Sequence, residues 1–131
     1  PAMERGAVVI CERFTDSTIA YQGYGLGYDL SLVEHLTEIA RNGLKPTWTI
    51  YLDVKPEIAS LRMRRRSGMD RIEARGQAFQ ERVRDGYLAL TTLEPDRITT
   101  IDTNCLGVQE VQAEIRRIFQ ERFKAEPSEL C

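Results

Sequence analysis

Short β-branched runs alternate along this chain with stretches of helical periodicity, and that alternation leaves few architectures open. Residues 7–11 (AVVIC) and 48–54 (WTIYLDV) are apolar and strand-like, and 97–102 (RITTID) is a weaker third case. Between the first two, Leu32, Leu36, Ile39 and Ala40 share a helical face. Ser31 and Glu34 are spaced as its capping box and Gly43 closes it. Pro56 suits the first turn of a helix through Ile58 and Leu61. Phe79, Val83, Tyr87 and Leu90 repeat at helical spacing, as do Val108, Val111, Ile115, Ile118 and Phe119. Strands separated by helices imply parallel pairing, an α/β sheet covered by its helices, and ligands beyond the carboxyl ends of the strands. The apolar face of the helix after Ser31 is expected to cover that sheet.

The 131 residues suit one domain, 1–131, with a polar tail over 124–131 expected to fray. Eighteen basic against twenty acidic side chains leave a net charge of -2, which argues against a chain-wide electrostatic partner such as nucleic acid or an anionic membrane. No apolar run approaches the roughly 20 residues of a membrane span. Cys11, Cys105 and Cys131 are odd in number and far apart, which suits a reducing, cytoplasmic setting and small buried side chains rather than disulfides or zinc.

Two stretches carry chemistry. After the first run, Glu12, Arg13, Ser17, Thr18, Tyr21 and Gln22 fall within CERFTDSTIAYQG. Arg13 offers a planar fork for phosphate or carboxylate, Glu12 could face a metal ion or a water, and Ser17 with Gln22 supplies donors and acceptors that can read a base edge. The same residues would equally serve as a surface pair and a helix cap. Further on, Arg62, Arg64, Arg65, Arg66 and Arg71 crowd one segment, and like charges at helical spacing repel. Phosphates, RNA, or water and salt could each offset that repulsion. Gly23, Gly25 and Gly27 lack the spacing of a dinucleotide loop, and His35 has no ligand-spaced partner.

Taken together, ERFTDSTIAYQGYGLG and RMRRRSGMDRIE resemble two motifs of bacterial thymidylate kinases: Asp-Arg-aromatic leading to Ala-Tyr-Gln-Gly, and an arginine-bearing lid ending in Asp-Arg-Ile-Glu. The resemblance extends through YLDV and RIEARGQAFQERVRDGYLAL to TID, nearly the whole chain. It implies a P-loop nucleoside monophosphate kinase-like fold, a three-layer parallel sheet with flanking helices. It also implies transfer of the γ-phosphoryl group of ATP to dTMP with Mg²⁺, and a homodimer. By the same resemblance Arg13 binds the dTMP phosphate and Glu12 lies near Mg²⁺ or the acceptor phosphate. Ser17, Thr18 and Gln22 read or flank the thymine, and Tyr21 packs on the deoxyribose. Arg62, Arg64 and Arg66, in a lid over 62–73, reach the ATP phosphates.

Three departures stand out. Glu12 replaces the family's usual aspartate, and Leu26 replaces an arginine found in many relatives. No G-x-x-x-x-G-K-[ST] loop occurs in the sequence. In the family that loop and its strand lie nearer the N-terminus, between the strands matching 7–11 and 48–54. Pro1 therefore reads as the start of a fragment, an incomplete sheet with unpaired edges, inactive and poorly stable alone. Alternatives are a non-catalytic nucleotide-binding or scaffold fragment, or a nucleic-acid-binding module using the arginine cluster.

Overall fold

The computed structural model describes residues 1–67 and 76–123. Two strands, β1 (Thr49–Asp53) and β2 (Ile98–Asp102), pair in parallel with Thr49 opposite Ile98 and Asp53 opposite Asp102. The crossover between them carries α3 (Pro56–Ser67) and α4 (Gly76–Leu93), as expected of a βαβ unit. Ahead of β1 lie a short helical turn α1 (Thr15–Thr18), a π-helical segment (Ile19–Gly25) and α2 (Leu30–Arg41); α5 (Val108–Arg122) follows β2. Pairing continues past the strands, where the Thr103 N–H and hydroxyl both donate to the Asp53 carbonyl at 2.8 Å.

Helix α4 organises the rest. Of the stripe that the spacing predicts, Phe79, Val83 and Leu90 are buried and Tyr87 is half-buried, while Gly86 beside it is buried as well. Phe79 and Val83 pack with Ala20 of the π-helical segment, flanked by Tyr21 and Tyr87. This approach needs glycine twice. A Cβ on Gly25 would come within 2.7 Å of Phe79 and Val83, and one on Gly86 within 2.8 Å of Tyr24. Arg82 then donates to the Gly25 carbonyl at 3.0 Å, pinning the segment to α4.

Five expectations are corrected. Residues 7–11 form no strand; Val8 and Ile10 stand 74% and 92% exposed. A parallel strand needs a neighbour on at least one side, and none of the described residues supplies one. The apolar face of α2 does not cover the sheet: Leu32, Leu36 and Ile39 are exposed, while Val33 and Thr37 are the buried positions. The helix instead contacts α1 and the π-helical segment. Its start is capped by Asp29, which accepts from the Leu32 N–H at 2.8 Å and the Ser31 hydroxyl at 2.7 Å, so no Ser31–Glu34 box forms. A carboxylate suits that position because it faces the positive end of the helix dipole. Asn42, in the left-handed conformation at φ 47°, ends the helix, with Gly43 following at φ 78°. Cys11 and Cys105 are both exposed, since one ends the unpaired run and the other lies in the loop after β2.

Candidate functional site

Arg13, Ser17, Thr18, Tyr21 and Gln22 line a single open cleft of about 230 Å³, together with Phe14. Helical spacing explains the convergence: Ser17 and Tyr21, and Thr18 and Gln22, are each one turn apart, so both pairs share a face. Arg13 adopts a left-handed backbone at φ 65°, uncommon outside glycine, and its guanidinium lies 4.5 Å from the centre of the Tyr21 ring. The contact holds a cation over the aromatic wall of the cleft. Tyr21 in turn meets Phe79 edge to face at 6.0 Å, which anchors that wall in the core.

Two buried polar networks support the cleft. Asp16, 7% exposed, takes both guanidinium nitrogens of Arg97 at 2.8 Å and the Thr49 hydroxyl at 3.1 Å. Arg97 also binds Glu94, whose carboxyl is thereby pulled down to about 2, with Lys45 adding to the effect. This network fastens α1 to the amino ends of β1 and β2. On the other side, Ser17 Oγ lies 2.7 Å from the Tyr87 hydroxyl. The Tyr87 ring stacks on Tyr51 at 4.6 Å, and the Tyr51 hydroxyl donates to Asp53, which is clasped by Arg84 through two 2.7 Å bonds. Arg84 lowers the Asp53 carboxyl, while burial raises both phenols.

Glu12, Arg62 and Arg64 are not among the residues that line this cleft. Glu12 is exposed, and among the described residues no group of three or more His, Cys, Asp or Glu could hold a metal. A lone carboxylate suits a hydrated Mg²⁺ that takes its other oxygens from nucleotide phosphates rather than a protein-only site. Arg62 has a structural use: its guanidinium donates to the carbonyls of Thr103, Asn104 and Leu106 at 2.7–3.2 Å, tying α3 to the loop after β2. Arg64 lies on the same helix, as does Arg66, whose side chain is outside the described residues; so is the rest of the 62–73 lid beyond Ser67. The 124–131 tail is outside them too.

A family model described as thymidylate kinase matches residues 1–115. The chain belongs to the thymidylate kinase family. It is 48% identical over 124 residues to the thymidylate kinase of Exiguobacterium sp. strain AT1b, covering 95% of this chain and 58% of that protein. To the thymidylate kinase of Cyanothece sp. strain PCC 7425 it is 42% identical over 128 residues, 94% of this chain and 54% of the other. The crystal structure of thymidylate kinase from Ehrlichia chaffeensis matches with a TM-score of 0.65 and 33% identity, over 90% of this chain and 53% of that one. The chain thus spans about half the length of the curated thymidylate kinases it matches. The parallel βαβ core is that of the family, and no described helix is long and apolar enough to cross a membrane.

Sequence reasoning missed Asp16, Phe14 and Tyr87 as parts of this site. Asp16 stands inside the quoted stretch, but its partner lies 81 residues away. Tyr87 repeats with Phe79, Val83 and Leu90 at helical spacing, which by itself marks no site residue. Its hydroxyl, the one polar group in that otherwise apolar stripe, is the available signal, because a half-buried hydroxyl needs a partner.

Proposed function

We propose that the reading frame containing this chain encodes an enzyme that transfers the γ-phosphoryl group of ATP to dTMP, giving dTDP, in the cytoplasm. The observation that carries this reading is the convergence of Arg13, Ser17, Thr18, Tyr21 and Gln22 on one cleft in a chain of the thymidylate kinase family. Phosphoryl transfer asks little covalent work of a protein; it asks for positioning and charge neutralisation.

In that scheme Arg13 takes the dTMP phosphate in bidentate fashion, pre-oriented by its stacking on Tyr21. The Tyr21 ring forms the wall against which the deoxyribose packs, and Ser17, Thr18 and Gln22 supply hydrogen bonds to the thymine. Arg64 and Arg66 reach the ATP phosphates; Arg62 joins them only by giving up its three carbonyl partners. Glu12 would hold Mg²⁺ jointly with the phosphates, the ion supplying charge neutralisation when bound. The exposed Leu32, Leu36 and Ile39 face of α2 supports a homodimer.

The test is ATP-dependent conversion of dTMP to dTDP by this chain and by the product of its complete reading frame. Turnover by the longer product, lost in Arg13→Ala, is expected. Absence of turnover in both would overturn the kinase reading and leave a nucleotide-binding or scaffold role.

A further inference from the structure

We propose that Tyr87 is a positioning residue for Ser17: its phenolic O–H donates to Ser17 Oγ and turns the serine's own proton into the cleft, toward a carbonyl oxygen of the nucleotide base. This inference deepens the dTMP reading and rests on it.

Two hydroxyls 2.7 Å apart share one hydrogen bond, and only one of them can be its donor. A phenol is a far stronger acid than an alkanol and hence the better donor, so the proton on the shared line belongs to Tyr87. The Ser17 proton must then rotate away from Tyr87. Ser17 lines the cleft, so away from Tyr87 includes the ligand's side. A free serine hydroxyl can donate or accept and discriminates weakly. One that already accepts from Tyr87 keeps a single free lone pair and has its proton turned toward the ligand, so it favours a ligand acceptor.

The ring that sets this polarity is held by two contacts. Tyr51 stacks on it with planes 12° apart, and Tyr51 is fixed by its bond to the Asp53–Arg84 pair. Tyr87 also packs against the Ala20, Phe79 and Val83 core. The phenolic oxygen is therefore presented at a set distance from α1. The chemical consequence is preference for a base edge bearing a carbonyl over one bearing an amino group, which offers a second donor where Ser17 already donates.

The experiment measures dTMP and dCMP binding by calorimetry, and dTMP turnover, for the product of the complete reading frame carrying Tyr87→Phe, Ser17→Ala, both, or Ser17→Thr. Tyr87→Phe is expected to weaken dTMP about three- to tenfold through KM with kcat little changed, as loss of one neutral hydrogen bond would, and to narrow the dTMP-to-dCMP ratio by a similar factor. The double variant should bind no more weakly than Ser17→Ala, and Ser17→Thr should restore most of the affinity. Additive losses, or unchanged affinity in a folded Tyr87→Phe, overturn this inference while parental dTMP binding leaves the kinase reading standing. Should Tyr87→Phe fail to fold, Ser17→Ala decides: equal loss for dTMP and dCMP overturns the inference, and loss confined to dTMP supports it. A parent protein that neither binds nor phosphorylates dTMP removes the kinase reading and this inference together.

Discussion

Asp16 is a buried carboxylate beside the cleft, and Arg97 is what makes its burial affordable. Removing one partner of a buried pair strands the other, which costs more than the pair itself contributes. Arg97→Met is therefore expected to destabilise the chain by about 3 kcal/mol, and Asp16→Asn, which leaves a neutral acceptor, by less. Urea unfolding checks the order; equal midpoints for the parent and Arg97→Met would mean that water replaces the guanidinium. The neighbouring Glu94 adds a pH dependence of definite sign. Its carboxyl is lowered by Arg97 and Lys45 from 4.5 to about 2, so its contribution is complete above about pH 4.5 and fades as pH falls toward 2. Acid unfolding followed by circular dichroism should show a shallower limb in Glu94→Gln over that window. A limb of unchanged slope would place the linkage on other carboxylates. At this scale the cleft residues from Arg13 to Gln22 were legible because polar types at one-turn spacing sit close in sequence. Their supports were not: Thr49, Tyr87 and Arg97 lie 33 to 81 residues from the groups they hold. Periodicity carries no information about such pairings.

Elements whose hydrophobic pattern closes within one segment were legible. The α3 start at Pro56, the α4 stripe and both paired strands stand where apolar spacing puts them. A run left without a ladder partner, and a segment shaped by its packing, were not. Residues 7–11 have strand composition but no ladder partner among the described residues, and strand propensity is largely a measure of such packing. The π-helical segment was equally hidden, since its bond from the Leu26 N–H to the Tyr21 carbonyl depends on how tightly the segment sits on α4. That tightness gives a prediction. Gly86→Ala drives a methyl group into the Tyr24 ring and Cβ, all within 2.9 Å, and should cost about 1–3 kcal/mol by overpacking despite alanine's better helix propensity. Thermal melting reads the balance: a raised midpoint would show that Tyr24 can swing clear and that the contact does not fix the segment.

At the scale of the whole molecule, two of the apolar stretches left exposed among the described residues bear on association. One is the run at Val8, Val9 and Ile10, and the other is the α2 face at Leu32, Leu36 and Ile39. Scattered exposed aliphatics are ordinary, but a row along one helix face adds up to a patch that favours association. The α2 row lies on a regular helix that keeps its shape when it packs, whereas the 7–10 run needs a strand beside it to satisfy its backbone. Association through α2 should therefore be specific and saturable, and association through 7–10 open-ended. Sedimentation of the product of the complete reading frame at increasing concentration separates the two. A discrete dimer that becomes monomeric in Leu36→Glu, with dTMP turnover per chain measured alongside, is the expected result. A dimer that survives Leu36→Glu would move the interface off α2, and growth to ever larger species suppressed by Ile10→Lys would assign association to the unpaired run instead.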